Sequence, residues 1–285
     1  MAPMQTQPSA RIAFIGGGNM ARALIAGLLR LGLPAGQIRV GEREAAARGA
    51  LEREFPIQTS GDNAEAIAGA ELVVLAVKPQ DAGAVLRTLW PPLREHGPVL
   101  LSIAAGLRIA DLARACPGIA IVRAMPNRPA LVGAGVTGLY AAPSVTAAQR
   151  SLAQIIGAAA GRTVWLRTEA EIDIVTAVSG SGPDYFFLLA EHLARAAQSL
   201  GLEPETATLL AAQTLYGAGL LASGNATLAE QRTAVTSRGG TTEAALQVLH
   251  SGGFELLIAR AVQAAAARSA ELADSLSGAL QIERP

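Results

Sequence analysis

The sequence predicts an α/β protein in which a doubly wound, mostly parallel sheet precedes an all-helical C-terminal region. Short apolar strands alternate with helices from Arg11 to about residue 168. The first strand runs into a glycine-rich turn that opens a helix, Ile15-Gly-Gly-Gly-Asn-Met20. Strand patterns stop after Glu169 and only helical patterns follow. The expected domains are therefore an α/β domain over 11–168 and a helical domain over 169–285.

Composition excludes several classes of function. Hydrophobic residues make up 51% of the 285-residue chain and charged residues 16%, which gives a large core and argues against disorder. The 23 basic residues balance 23 acidic ones, so no nucleic-acid or membrane-surface partner is indicated. Cys116 is the single cysteine, which excludes an internal disulfide. No apolar run approaches the roughly 20 residues that span a bilayer, and residues 1–10 lack a signal-peptide core. A soluble, cytoplasmic protein is expected.

The strands are nearly continuous in their apolar character, as in Leu72-Val-Val-Leu-Ala-Val77. Such strands are typical of a parallel sheet that is covered on both faces. Loops that bind ligands then gather at the carboxyl edge of the sheet. Helices are predicted between most of the strands, for example over Met20–Leu31 and Arg43–Phe55. The predicted strands are Ile12–Ile15, Ile38–Gly41, Leu72–Val77, Val99–Ile103, Ile119–Arg123, Val136–Tyr140 and Thr163–Leu166.

The C-terminal helices are predicted over 181–200, 204–223, 226–236, 241–251 and 253–275, with Gly, Pro or Asn between them. They are rich in Ala and Gly and can pack closely, either as a compact bundle or as a subunit interface. The last helix carries apolar residues at the i, i+3, i+4, i+7 spacing of a buried face. That stripe consists of Phe254, Leu257, Ile258, Ala261, Val262, Ala265 and Leu272.

The glycine-rich turn predicts a pyrophosphate site built from main chain. Gly16 lets the chain turn sharply out of the strand, and Gly18 lets the backbone approach a ligand closely. Ala21 stands where the fingerprint usually has its third glycine. The N–H groups at the start of the following helix then face an anion, with the helix dipole behind them. The alternative is an ordinary strand-to-helix turn.

The second strand ends in Glu42 and Arg43, where the adenosine ribose of a dinucleotide lies. An acid there accepts a hydrogen bond from a 2′-hydroxyl, whereas an arginine pairs with a 2′-phosphate. Arg43 favours NADPH, and an inward-pointing Glu42 would repel its phosphate. The alternative makes both residues a solvated first turn of the next helix. Lys78, at the end of another strand, is better explained as a surface charge than as a catalytic acid.

A second glycine pair precedes a helix in Thr236-Ser-Arg-Gly-Gly-Thr-Thr242. The N–H groups of Gly239, Gly240 and Thr241 suit a carboxylate at the positive end of that helix. The Thr242 hydroxyl is in position to hydrogen-bond a reacting nitrogen. The competing interpretation is that Thr241 or Thr242 is only a helix N-cap.

The order of motifs resembles that of the pyrroline-5-carboxylate reductases from residue 11 to about residue 275. The matching motifs are Gly-Gly-Gly-Asn-Met-Ala at 16–21, Ala-Val-Lys-Pro at 76–79, Ala-Met-Pro-Asn at 124–127, Ser-Gly-Ser-Gly-Pro at 179–183 and Thr-Ser-x-Gly-Gly-Thr-Thr at 236–242. The resemblance implies a Rossmann-type NAD(P)-binding domain over 11–168 and a helical dimerisation and substrate domain over 169–285. It implies the NAD(P)H-dependent last step of proline biosynthesis. It also implies an active site between the cofactor of one subunit and the helical domain of its partner, often within a ring of dimers.

The resemblance assigns roles to particular residues. The family's 2′-phosphate arginine corresponds to Arg43, its ribose-side asparagine to Asn63, and the threonine near the imine nitrogen to Thr242, the one candidate catalytic residue. No metal ligand is implied. The phosphate turn corresponds to Ile15, Gly16, Gly17, Gly18, Asn19 and Met20, the nicotinamide side to Ala76, Val77, Lys78, Pro79, Ile103, Ala104 and Ala105, and the carboxylate loop to Ser237, Gly239, Gly240 and Thr241. The chain departs from the family pattern at three positions: Arg128, where the family usually has Thr, Arg238, where it usually has Pro, and Thr233, where it has an acid.

The expected activity is reduction of (S)-1-pyrroline-5-carboxylate to L-proline by NADPH, with NADH as the alternative donor. The expected partners are this small-molecule substrate and a second copy of the chain. A related imine reductase acting on another cyclic imino acid, and a non-catalytic protein that binds NADPH or a metabolite, are the alternatives. Ser181 lies in Ser-Gly-Ser-Gly-Pro rather than Gly-x-Ser-x-Gly, so a hydrolase is not indicated. Ser179 or Ser181 is expected to cap a helix there.

Overall fold

One eight-stranded sheet organises the described part of the chain, residues 10–277, in the computed structural model. Its strand order is β3-β2-β1-β4-β5-β6-β7-β8, and every neighbouring pair is parallel except β6 with β7. The predicted doubly wound, mostly parallel fold is confirmed. The strands are β1 (Ile12–Ile15), β2 (Ile38–Gly41), β3 (Gln58–Ser60), β4 (Leu72–Leu75), β5 (Val99–Ser102), β6 (Ala120–Met125), β7 (Gly135–Ala141) and β8 (Gly161–Trp165).

Helices cover both faces of the sheet and make up the C-terminal region. Those that follow or connect strands are α1 (Asn19–Arg30), α2 (Ala45–Glu54), α3 (Asn63–Ile67), α4 (Pro79–His96), α5 (Ile109–Ala115), α6 (Ala147–Ala159) and α7 (Glu171–Val175). A π-helical turn at Thr176–Gly180 leads into α8 (Gly182–Ser199), α9 (Pro204–Ala222), α10 (Leu228–Ala234), α11 (Thr241–Ser251) and α12 (Phe254–Ser277). Among residues 10–277, no helix is both long and apolar enough to cross a membrane.

The centre of the sheet is buried on both faces, and its strands β1 and β4 are apolar at every position. In β1, Ile12 and Phe14 join the core on one face, while Ala13 and Ile15 join the core on the other. All four residues are buried, as are all four of β4 and of β5. This is the pattern expected of a parallel sheet between two helical layers.

Two local expectations were wrong at the edge of the sheet. Strand β3 was missed because it has three residues, all polar, and pairs only with β2 among the described strands. Helix α2 begins at Ala45, so Arg43 lies in the turn before it and not in its first turn. That turn keeps Glu42 and Arg43 at the carboxyl end of β2.

The chain divides into two compact units, one comprising residues up to Gly180 with Ala265 onward, the other Ser181–Ala264. The end of α12 belongs to the first unit and is held within it by side-chain hydrogen bonds. Ser269 Oγ donates to Asp173 Oδ1 at 2.6 Å, and Ser277 Oγ donates to Asp111 Oδ2 at 2.8 Å. The domain boundary at residues 168–169 stays a prediction from the sequence pattern.

The second unit, Ser181–Ala264, is the helical unit, and large apolar side chains in it are exposed to solvent. Phe186 and Phe187 on α8 are 59% and 54% exposed, and Leu257 on α12 is 65% exposed. Within one chain, four residues of the predicted α12 stripe are exposed, Phe254, Leu257, Ile258 and Leu272. The sequence had left open whether a bundle or a subunit interface buries that stripe. Monomeric proteins seldom expose apolar surface on this scale, so these side chains favour a subunit interface over a self-sufficient bundle.

Candidate active site

A cavity of about 610 Å³ opens at the carboxyl ends of β1, β2 and β4. It lies where the strand order reverses between β1 and β4, which is where open α/β sheets bind ligands. Its volume is in the usual range for a cofactor or small-molecule site. The lining residues are Ile15, Gly16, Gly17, Gly18, Gly41, Glu42, Arg43, Glu44, Ala47, Asn63, Ala76, Val77, Lys78, Asp81 and Val85.

The glycine-rich turn has the shape that a bound pyrophosphate requires. Gly16 has φ +99° and donates its N–H to the Gly41 carbonyl at 2.8 Å, and a Cβ there would lie 2.8 Å from the Ala76 oxygen. Only glycine fits that position. A Cβ on Gly18 would meet nothing within 4 Å, so the backbone at the start of α1 faces open space. These residues fit a dinucleotide phosphate, with the α1 N-terminus behind it.

The ribose end of the cavity is dominated by Glu42. Its Oε2 accepts the Gly17 N–H at 3.1 Å, and its Oε1 accepts the Glu44 N–H at 3.1 Å. The side chain therefore points inward, the orientation that the sequence left open. Arg48 Nη1 donates to the carbonyls of Glu42 and Arg43, both at 2.8 Å. Arg43 is exposed, and its guanidinium makes no hydrogen bond or ion pair within the described residues.

The structure brings most of the predicted cofactor residues to this cavity. Asn63, the first residue of α3, lies against Gly41, since a Cβ on Gly41 would be 3.3 Å from the Asn63 Cα. Lys78 is exposed and precedes Pro79, the first residue of α4. The lining does not include Asn19, Met20, Pro79, Ile103, Ala104 or Ala105. Five further lining residues were not predicted to bind the cofactor, because they lie just outside the recognisable motifs: Gly41, Glu44, Ala47, Asp81 and Val85.

The predicted substrate loop lies in the helical unit, immediately before α11. Gly239 has φ +69°, and its N–H donates to Glu243 Oε2 at 2.6 Å. The Gly240 N–H donates to the Ser237 carbonyl at 3.0 Å. Gly240 is the N-cap residue and makes no side-chain cap bond, so the interpretation of Thr241 or Thr242 as N-cap is wrong. In this structure the Gly239 N–H already binds a carboxylate, supplied by the chain itself.

Thr242 is the second residue of α11 and is half-buried. Its hydroxyl makes no hydrogen bond within residues 10–277. Gly240 occupies the N-cap position and the Thr242 hydroxyl makes no cap bond, so the start of α11 does not depend on that hydroxyl. It remains available to a ligand.

The Ser-Gly-Ser-Gly-Pro segment is held differently from the expectation. Ser179 Oγ donates to the Val175 carbonyl at 2.9 Å, and Ser181 stands at the N-cap of α8 without a side-chain cap bond. Ser181 therefore takes the expected N-cap position but makes no cap bond, and Ser179 does not cap α8. Asn127 ties the segment to the sheet instead: its Nδ2 donates to the Ser179 carbonyl at 3.0 Å and its Oδ1 accepts the Val136 N–H at 2.9 Å.

Other chemistries find little support in the described residues. Cys116 is buried, and desolvation raises the pKa of its thiol to about 12, so the thiolate that a nucleophile requires is not formed at neutral pH. Residues 10–277 hold no group of three or more His, Cys, Asp or Glu side chains that could bind a metal ion. The features that can bind a ligand are therefore the two glycine turns, at Gly16–Gly18 and at Gly239–Gly240, whose main-chain N–H groups suit an anion.

Comparison with known proteins decides the family. The family model for pyrroline-5-carboxylate reductase dimerisation matches residues 169–272, and the one for NADP oxidoreductase, coenzyme F420-dependent, matches residues 11–106. The pyrroline-5-carboxylate reductase of Pseudomonas aeruginosa is 49% identical over 268 residues, covering 93% of this chain and 98% of the relative. The chain belongs to the pyrroline-5-carboxylate reductase family. The Haemophilus influenzae member is 42% identical over 92% of this chain and 97% of its own.

Solved structures of the family agree with the fold. A pyrroline-5-carboxylate reductase from Coxiella burnetii superposes with a TM-score of 0.89 at 40% identity, covering 92% of this chain and 98% of that one. The Plasmodium falciparum pyrroline carboxylate reductase, solved with NADP bound, gives a TM-score of 0.79 at 27% identity, covering 94% and 100%. The resemblance inferred from the motifs is confirmed, and the match to a dimerisation domain indicates that the chain oligomerises.

Proposed function

We propose that this protein reduces (S)-1-pyrroline-5-carboxylate to L-proline, with NADPH as hydride donor and NADH as the alternative donor. One observation carries the proposal: a cavity at the switch point of the sheet begins with a glycine turn that fits a dinucleotide phosphate. The choice of substrate is based on family membership, since the similarity covers nearly the whole chain.

The bound nicotinamide supplies the hydride that the imine carbon receives, so the protein needs no nucleophile of its own. The protein's part is binding and alignment. The Gly16–Gly18 turn and the N-terminus of α1 hold the pyrophosphate. The Gly239 N–H and the first N–H groups of α11, which have no intrahelical acceptor, hold the substrate carboxylate. The Thr242 hydroxyl orients the ring nitrogen.

The substrate carboxylate takes the position that Glu243 occupies on the Gly239 N–H. This exchange replaces one charged acceptor by another, so the donor is not left without a partner at either stage. The Gly239 N–H already binds the carboxylate of Glu243, which supports its proposed role in binding the carboxylate of the substrate.

A homodimer formed through the helical unit is part of the proposal. The exposed apolar side chains of α8 and α12 support it, as does the matching dimerisation family. A ring of dimers and a cytoplasmic location stay predictions from the resemblance and the composition.

The activity is tested by following the absorbance of the reduced nicotinamide in a panel of imines with both cofactors. We expect rapid oxidation of NADPH with pyrroline-5-carboxylate and slower turnover of the six-membered imino acid. Faster turnover of the six-membered ring would indicate the related imine reductase instead. Tight NADPH binding without turnover of any imine would indicate a non-catalytic nucleotide-binding protein.

Replacing Arg43 by alanine should weaken NADPH much more than NADH. The exposed guanidinium is suited to a charge-assisted contact with the 2′-phosphate, which NADH lacks. We expect the KM for NADPH to rise about tenfold, or on the order of 1.4 kcal/mol, with the KM for NADH nearly unchanged. Arg53→Ala, which removes the same charge in the last turn of α2, is the matched control. Equal losses for both cofactors would exclude Arg43 from reading the 2′-phosphate.

A further inference from the structure

Glu42 connects two turns that both border the nucleotide cavity. One carboxylate oxygen accepts the N–H of Gly17 in the phosphate turn, 25 residues away in sequence. The other accepts the N–H of Glu44 in the turn between β2 and α2. The second contact by itself is an ordinary local turn. The first contact is long-range and holds the carboxylate inside the cavity, on the wall formed by the end of β2.

These contacts determine what the ribose end of the cavity offers to an anion. Two main-chain N–H groups that border it are already bonded to Glu42. The Arg48 guanidinium is directed to two carbonyl oxygens and is held in that turn. The charged residues that line the cavity are the acids Glu42, Glu44 and Asp81 and the bases Arg43 and Lys78. A 2′-phosphate approaching this end therefore meets a fixed carboxylate before any fixed cation.

A 2′-hydroxyl meets the opposite situation. A carboxylate oxygen that accepts one N–H keeps further lone pairs for a second donor. Glu42 stands at the end of β2, where an acid in this fold accepts the hydrogen bond of the adenosine 2′-hydroxyl. Its contact with Gly17 fixes the side chain in that orientation before any ligand binds, which lowers the entropy lost on binding.

We propose that Glu42 is the residue that determines specificity at the adenosine 2′ position, and that it limits the preference of this enzyme for NADPH over NADH. A 2′-hydroxyl donates to the Glu42 carboxylate while that carboxylate keeps its contacts with the Gly17 and Glu44 N–H groups. A 2′-phosphate binds only when Glu42 leaves the Gly17 and Glu44 N–H groups and Arg43 turns toward the ligand. The inference deepens the proposed function and needs from it only that the cavity binds a nicotinamide dinucleotide.

The test is equilibrium binding of NADP⁺ and NAD⁺ to the full chain without any imine. Glu42→Gln keeps the size of the side chain and removes the charge. We expect it to increase the ratio of NADP⁺ affinity to NAD⁺ affinity at least tenfold. Glu44→Gln removes the same charge two residues away, at an exposed position without the long-range contact. We expect it to change the ratio less than threefold.

A second variant, Glu42→Ser, guards against misfolding of the first and should change the ratio in the same direction. If both Glu42 variants fold and match Glu44→Gln in their ratios, Glu42 does not read the 2′ position. Binding of neither nucleotide by the unchanged protein would overturn this inference and the proposed function together. Normal binding and an unchanged ratio, combined with turnover of pyrroline-5-carboxylate, would overturn the inference alone.

Discussion

Gly27→Ala should lower the free energy of unfolding by about 3 kcal/mol, the upper part of the range for overpacked cores. Gly27 lies on α1 where the helix crosses the end of α6. A Cβ there would overlap the carbonyl of Ala159, at 2.6 Å from its carbon and 3.0 Å from its Cα. All of these atoms belong to the main chain, so no side chain can rotate away. The two helices must separate.

The same substitution should weaken nucleotide binding. Helix α1 begins at Asn19, directly after Gly18 of the cavity lining, and its first N–H groups are the donors proposed to hold the pyrophosphate. A displacement of α1 away from α6 moves those donors from the pyrophosphate. Because anion binding at a helix N-terminus depends on close N–H contacts, we expect NADPH affinity to fall together with stability.

Urea denaturation and NADPH titration of the purified variant measure both effects. Gly49→Ala is the matched control, since it makes the same change inside α2, where the nearest neighbour is Arg53 Nη1 at 3.4 Å. An alanine there should stabilise the helix by roughly 0.5–1 kcal/mol. A Gly27→Ala variant with unchanged stability would show that α1 and α6 can separate freely.

Thr242→Ala should lower kcat/KM for pyrroline-5-carboxylate about tenfold to a hundredfold, on the order of 1.4–2.7 kcal/mol. Thr242 follows the first residue of α11, close to the Gly239–Gly240 turn, and its hydroxyl makes no hydrogen bond within the described residues. The hydroxyl is the group proposed to orient the ring nitrogen. Alanine removes it and leaves the helix N–H groups and the N-cap residue Gly240 unchanged.

Thr242→Ser keeps the hydroxyl and should retain most of the activity, which separates loss of the oxygen from loss of the methyl group. NADPH binding, measured without imine, should be unchanged in both variants because the loop is assigned to the substrate. Steady-state kinetics over a range of imine concentrations make the comparison. An alanine variant with the kinetics of the parent protein would remove Thr242 from the mechanism.

The glycine and strand patterns of the sequence predicted the fold and the cofactor site, because both depend on local main-chain geometry. Gly16 has a positive φ and no room for a Cβ, so the residue type itself marks the turn. The apolar residues of β1 and β4 mark central strands because both faces of those strands are buried. By contrast, β3 has three polar residues at an edge, and its strand conformation depends on pairing with β2.

Side-chain partners were harder to predict. The sequence places Glu42 at the end of β2, but its contact with Gly17 joins residues 25 positions apart and exists only after β1 and β2 pair. The serines of Ser-Gly-Ser-Gly-Pro were expected to cap a helix, because Ser is common at such positions. The π-helical turn over Thr176–Gly180 directs Ser179 back to Val175 instead.

The sequence by itself determined the order of strands and helices, both glycine turns and the family, since each is written in contiguous residues whose conformation is locally constrained. Only the tertiary structure decided that Glu42 points into the cavity and that Gly240, not a threonine, caps α11. It also decided that the apolar stripe of α12 stays exposed within one chain. These outcomes depend on contacts between residues that are distant in sequence. The apolar spacing along a helix predicts that one face is buried, but it does not identify the surface that covers that face.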